Sequence, residues 1–95
     1  MTVVITRDVA ERYRGFLASI MPEAAPGVYV AADLSAGVRE RLWNVLTDWW
    51  SSLPGGSIVL LWKDKSAPSS LGLLCLGLPA RDLVDLDGSL LVRRS

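Results

Sequence analysis

Arg7, Asp8, Arg12 and Arg14 fall close together near the start of the chain, and they set out the two chemistries this sequence supports. Arg12 and Arg14 occupy the first two turns of a predicted helix, just after Arg7 at a predicted strand end. Positive charge there opposes the helix dipole, which favours anions at an N-terminus. An external phosphate would offset that cost, so the three arginines form a candidate phosphate-contact site. An ordinary solvated surface is the plainer alternative. Gly15, in the same helix, costs about 1 kcal/mol relative to alanine. It suits a place where another backbone or chain approaches closely.

Asp8 offers the second chemistry. A two-fold dimer would bring two such carboxylates together around Mg²⁺ and activate water for phosphodiester cleavage. The residue also fits a structural part, because Asp8-Val9-Ala10-Glu11 has the spacing of a capping box. Asp8 is then the N-cap and Glu11 the third helical position. Arg7 beside it opposes metal binding, and capping is the expectation.

Near the C-terminus, Asp85 and Asp87 stand two apart and share a strand face, with Val84 and Leu86 on the other. Such a pair holds a metal or meets a basic partner; simple alternation of buried and wet positions explains it equally well. Arg81 precedes the pair and suits either a surface or a phosphate. Arg39 falls among apolar positions of a second predicted helix, near Trp43 and Trp50. It either stacks on a tryptophan or reaches across an interface.

What the chain lacks narrows the chemistry further. There is no histidine among its 95 residues. That removes Ser–His and Cys–His nucleophiles and the commonest transition-metal ligand. Catalysis would have to run on carboxylates with a hard metal, or on Lys, Tyr or Arg. Cys75 is the single cysteine, so neither an internal disulfide nor a thiolate zinc site can form. Ten basic and ten acidic residues give zero formal charge, unlike a domain that binds nucleic acid through its overall field. DNA contact must then rest on local arginines or on a partner.

A chain this short holds one domain over residues 1–95, since two cores would each be too small. Half of its residues are hydrophobic (51%), and four are tryptophan. That apolar area exceeds what one small core readily absorbs and points to a dimer interface. No apolar run reaches the roughly 18–20 residues of a membrane span, and no signal-peptide pattern opens the chain. A cytoplasmic location is the expectation.

These residues need elements to position them. Thr2 to Thr6 is β-branched and apolar and reads as a short central strand. Val9, Tyr13, Phe16, Leu17 and Ile20 recur at helical spacing, ending at Pro22. Pro26-Gly27 punctuates, and Val28 to Val30 reads as a second strand. Ser35 caps a second helix in which Val38, Leu42, Val45, Leu46 and Trp49 share a face. Trp43 and Trp50 widen that arc to about 160°, which suggests a second packing surface. Pro54-Gly55-Gly56 breaks the chain. Ile58 to Trp62 and Leu71 to Leu76 read as strands joined by a polar loop, Lys63 to Ser70. Val84 to Asp87 alternates, turns at Gly88, and Leu90 to Val92 closes as a last strand. The order βαβαββ with a C-terminal extension predicts an α+β, ferredoxin-like sandwich with two helices on one sheet face.

Val3-Val4-Ile5-Thr6 followed by Arg12-Tyr13-Arg14-Gly15 resembles the opening of CRISPR-associated protein two, type I-E. Gly27-Val28-Tyr29-Val30, Leu34-Ser35-Ala36, Arg39-Glu40, Leu42-Trp43 and the closing Val84-Asp85-Leu86-Asp87-Gly88 are similar to the same family, in the same order. The resemblance implies a ferredoxin-like homodimer between two dimers of a larger integrase subunit. Together they would hold a protospacer DNA duplex for insertion as a new spacer. It also implies that Arg12, Arg14 and Arg81 contact the DNA backbone, and that Asp87 meets the integrase subunit. Arg7 and Arg39 complete the candidate nucleic-acid contacts, and Asp85 the candidate partner contacts.

The match has departures. A basic position beside Arg81 is Ala80, a basic position early in helix two is Gly37, and a hairpin acid falls where Ala67 and Pro68 stand. Some branches carry an Asp at the end of strand one and act as metal-dependent nucleases. Arg7 takes that place here, with Asp8 one residue on, and a one-residue shift turns a strand side chain to the opposite face. Three functions follow: a DNA-holding adaptor without catalysis, a Mg²⁺-dependent endonuclease acting through paired Asp8, and a dimeric interaction module without nucleic acid.

Overall fold

The computed structural model describes residues 1–77 in full, and residues 81–86 and 89–94 as backbone strands. The elements run β1 (Thr2–Arg7), α1 (Glu11–Ala18), β2 (Glu23–Ala25), β3 (Val28–Ala31), α2 (Ala36–Ser52), β4 (Ser57–Lys63), β5 (Leu71–Leu76), β6 (Arg81–Leu86) and β7 (Ser89–Arg94). The first five strands form one antiparallel sheet in the order β2-β3-β1-β4-β5. β3 lies between β1 and β2, so that β1-α1-β2 is a split βαβ unit, and α2 carries the chain across to β4 on the far side of β1. This is the ferredoxin-like arrangement expected for an α+β chain, with β5 added at one edge.

Register assigns the faces. Val4 stands opposite Tyr29 on one side and Leu60 on the other, and Thr6 stands opposite Ile58. Val4, Tyr29, Ile58 and Leu60 join Tyr13 and Leu17 of α1, Met21, and Leu42 and Leu46 of α2 in the buried core. Both helices therefore cover this inner face. The alternate residues Val3, Ile5, Val28, Val30, Val59, Leu61, Leu71 and Leu73 share the outer face. Ile5 there is 39% exposed.

Helix α2 begins as the sequence predicts: the Val38 backbone N–H donates to Ser35 Oγ at 3.2 Å. Helix α1 does not. Its N-cap is Ala10, and no side chain caps it. Asp8 lies two residues upstream with φ of 56°. The capping box is overturned because this left-handed turn delays the helix, placing Glu11 at its first residue instead of its third. The helix also stops at Ala18, with Ser19 as C-cap, well before Pro22.

Strand β2 went unpredicted. Its Glu-Ala-Ala sequence has little strand propensity, and pairing with β3 holds it, across the Pro26-Gly27 turn and a register shift. Gly27 has φ of 76°, and a side chain there would press on the Thr6 backbone carbonyl. At the C-terminal end, β6 and β7 pair antiparallel in a sheet of their own, with Leu86 opposite Ser89. The expected turn at Gly88 lies outside the described residues.

The broad tryptophan arc of α2 finds its partners within the chain. Trp43, Trp49 and Trp50 all pack against the core, while Val38, predicted on that face, is 39% exposed. Ile5 leaves further apolar surface on the outer face of the sheet. A shallow groove of about 450 Å³ on that side is lined by Met1, Val3, Leu61, Trp62, Lys63, Ser70 and Leu71.

Candidate nucleic-acid interface

Arg7 ends β1 opposite Ser57 and is exposed, on the outer-face side with Val3 and Ile5. Asp8 follows, also exposed. Its left-handed backbone is one that Asp and Asn tolerate better than most residues. Gly56 has φ of 74° and lies so close that a Cβ would strike the Arg7 and Asp8 carbonyls. Gly77 in turn lies against the Gly56 carbonyl and the Trp50 ring. Three chain segments thus hold the end of β1, and they fix where Arg7 and Asp8 leave the sheet.

Arg12 and Arg14 are both exposed on α1. Two residues apart on a helix means about 200° around its axis, so they serve different sides. Arg12 crosses to α2, where its Cζ lies 4.2 Å from the Trp49 ring centroid. Trp49 also meets Phe16 edge-on at 5.1 Å and Tyr13 at 5.9 Å between centroids. Arg14 lies on the side of β3, near the Tyr29 hydroxyl. Burial pushes the Tyr29 phenol up, Glu23 adds to that, and Arg14 pulls it back down. The three N-terminal arginines are therefore spread over neighbouring elements.

Tyr13 anchors α1 beneath them. Its hydroxyl donates to the Leu53 carbonyl at 2.7 Å, and its ring is fully buried. Burial raises its pKa, with Arg12 opposing.

Arg39 stacks on a tryptophan, as one of the two expectations had it, but on neither Trp43 nor Trp50. Its Cζ lies 4.4 Å from the centroid of Trp62, on β4. Trp43 and Trp62 line a cleft of about 220 Å³ with Arg39, Glu40, Asn44, Leu60 and Leu74. No local sequence signal joins Arg39 to Trp62 or Arg12 to Trp49, since both pairs depend on how α2 docks. Beyond the cleft, Asp64 in the β4–β5 loop accepts from the Ser66 backbone N–H at 3.0 Å and from its hydroxyl at 2.6 Å. These bonds hold its carboxyl below the usual range.

Arg81 begins β6 opposite Arg94, and Asp85 stands opposite Leu90. Their side chains, and all of Asp87, lie outside the described residues. Among the described residues no three acidic or cysteine side chains gather to hold a metal.

The surface carries exposed arginines, Arg7, Arg12 and Arg14, on a ferredoxin-like body, and Arg12 and the half-buried Arg39 are each laid on an indole. A protein-family model described as CRISPR-associated protein (Cas_Cas2CT1978) matches residues 1–91 of this chain. The chain belongs to the CRISPR-associated Cas2 family. The match spans every element from β1 to β6 and reaches into β7, so the exposed arginines of α1 are those of a Cas2-family protein. Among the described residues no helix is long and apolar enough to cross a membrane.

Proposed function

We propose that this Cas2-family chain is the DNA-holding adaptor of type I-E spacer acquisition, without a catalytic step of its own. As a homodimer it bridges dimers of the larger integrase subunit and holds a double-stranded protospacer while the partner performs integration. The observation that carries this reading is the pair Arg12 and Arg14, exposed along α1 in a chain matched by a CRISPR-associated family over residues 1–91. Guanidiniums on a helix surface contact phosphates without reading sequence, as a scaffold for arbitrary spacers requires. Arg7, Arg39 and Arg81 extend the basic track, and Asp85 and Asp87 face the integrase subunit.

The proposed dimer uses the outer sheet face. Val3, Ile5, Val59 and Leu61 are side by side there, and exposed apolar patches of this kind mark interaction sites. A second copy of the same face is the self-complementary occupant that two-fold symmetry supplies.

The competing reading is a Mg²⁺-dependent endonuclease that pairs two Asp8 carboxylates across the dimer axis. One observation favours it: the Asp8 side chain is not engaged in capping α1. Integration with the purified larger subunit, comparing wild type with Asp8→Asn, separates the two. A scaffold retains integration in the variant. Loss of integration by a folded Asp8→Asn protein overturns the adaptor reading and supports the nuclease.

A further inference from the structure

We infer that Trp49 is a positioning residue for DNA binding: it holds the Arg12 guanidinium in a pose ready for a phosphate. The inference rests on the adaptor reading, in which Arg12 contacts the duplex, and adds to it a residue from another helix. Arg12 is exposed on α1, and a free arginine there samples many rotamers that phosphate binding must freeze. That ordering costs roughly 0.5–1.5 kcal/mol for a side chain of this kind. In this chain the side chain is already laid over an indole, 4.2 Å from its centroid.

The contact suits a binding pose for a chemical reason. A cation over an aromatic face is held by the ring quadrupole and needs no acceptor atom. The guanidinium N–H donors therefore stay available for phosphate oxygens, which match them in a two-pronged geometry. An ion pair with a carboxylate would also fix Arg12, but it would occupy those donors and cancel the charge. Trp49 does neither.

Trp49 is itself held on several sides. Phe16 meets it edge-on at 5.1 Å between centroids and Tyr13 at 5.9 Å. Tyr13 is pinned by its bond to the Leu53 carbonyl, just past the end of α2. The indole that carries Arg12 is thus fixed to both helices, so the arginine inherits the rigidity of the α1–α2 packing. Arg14, on another side of α1 and near Tyr29 and Glu23, has no indole beneath it. The two arginines should differ in how strongly a distant substitution weakens them.

A double-mutant cycle tests this, with dissociation constants for a short labelled DNA duplex measured by fluorescence anisotropy on the full chain. Wild type, Trp49→Leu, Arg12→Ala and the double variant are compared, with Trp49→Phe as the conservative control. An exposed cation–π contact predicts that Trp49→Leu weakens binding about two- to fivefold. The same change leaves affinity unaltered when Arg12 is already alanine, and Trp49→Phe recovers most of the loss. Should Trp49→Leu fail to fold, the cycle is run with Trp49→Phe, which predicts a smaller loss confined to the Arg12 background. An equal loss in both backgrounds makes Trp49 a structural residue and overturns the inference while Arg12 keeps its role. If Arg12→Ala binds like wild type, the phosphate contact itself is absent, and both the inference and that part of the adaptor reading fall.

Discussion

Gly72 of β5 stands opposite Trp62 of β4, and the indole fills the space that any side chain at position 72 would need. Arg39 rests on the same ring, so a residue with no side chain supports a tryptophan that in turn supports a cation. Gly72→Ala forces the ring to move. Overpacking of this kind costs about 1–3 kcal/mol, and it should appear as a lower urea midpoint with an unchanged m-value.

The end of β1 responds to substitution according to backbone geometry. Asp8 has φ of 56°, a conformation that costs most non-glycine residues roughly 1–2 kcal/mol. Asp8→Asn should match wild type in denaturant unfolding, since Asn tolerates that conformation. Asp8→Ala should lose about 1 kcal/mol, and Asp8→Gly should lose nothing or gain slightly. If all three variants behave alike, the turn does not constrain this position.

Much of the fold was legible because each main element carried its own local pattern. β1, β4 and β5 are apolar runs bounded by breaks, and Ser35 announces α2. What failed was decided by neighbours. Asp8 and Glu11 have capping-box spacing, yet the Gly56 backbone pressed against the Asp8 carbonyl belongs to a segment far along the chain. β2 has no propensity of its own and exists through β3. The candidate arginines were visible as charges out of place on a helix, but their supports were not. Trp49 reads as part of the apolar face of α2 and Trp62 as the end of a strand, and only the docking of α2 shows that each carries a cation.

Stability should fall at alkaline pH, and Tyr13 is a main reason. Burial raises its pKa above the ordinary value of 10.0, so folding favours the neutral phenol. That contribution is complete below the unfolded pKa and is lost as pH rises through the higher folded value. Tyr29 is shifted in the same direction, chiefly by burial. Thermal melts should therefore hold steady to about pH 10 and decline above it. Tyr13→Phe should flatten part of that decline. At neutral pH it should cost about 1 kcal/mol through the lost hydrogen bond to Leu53.

The outer sheet face predicts the oligomer. Ile5→Glu places a charge at the centre of the apolar row formed with Val28 and Val59, without touching the core. Sedimentation should find two copies in the wild-type particle and one in the variant, with unchanged far-ultraviolet circular dichroism. A variant that sediments like wild type would move the interface elsewhere.

The adaptor account stands most directly on spacer integration by the purified larger subunit in the presence of this chain carrying Arg12→Ala, Arg14→Ala and Arg81→Ala together. Removing three phosphate contacts per protomer, and so six per dimer, should abolish integration at physiological salt while the dimer still forms. Binding of the duplex should also lose roughly five units of salt dependence on a log–log scale. Integration at the wild-type rate by the triple variant would contradict the account.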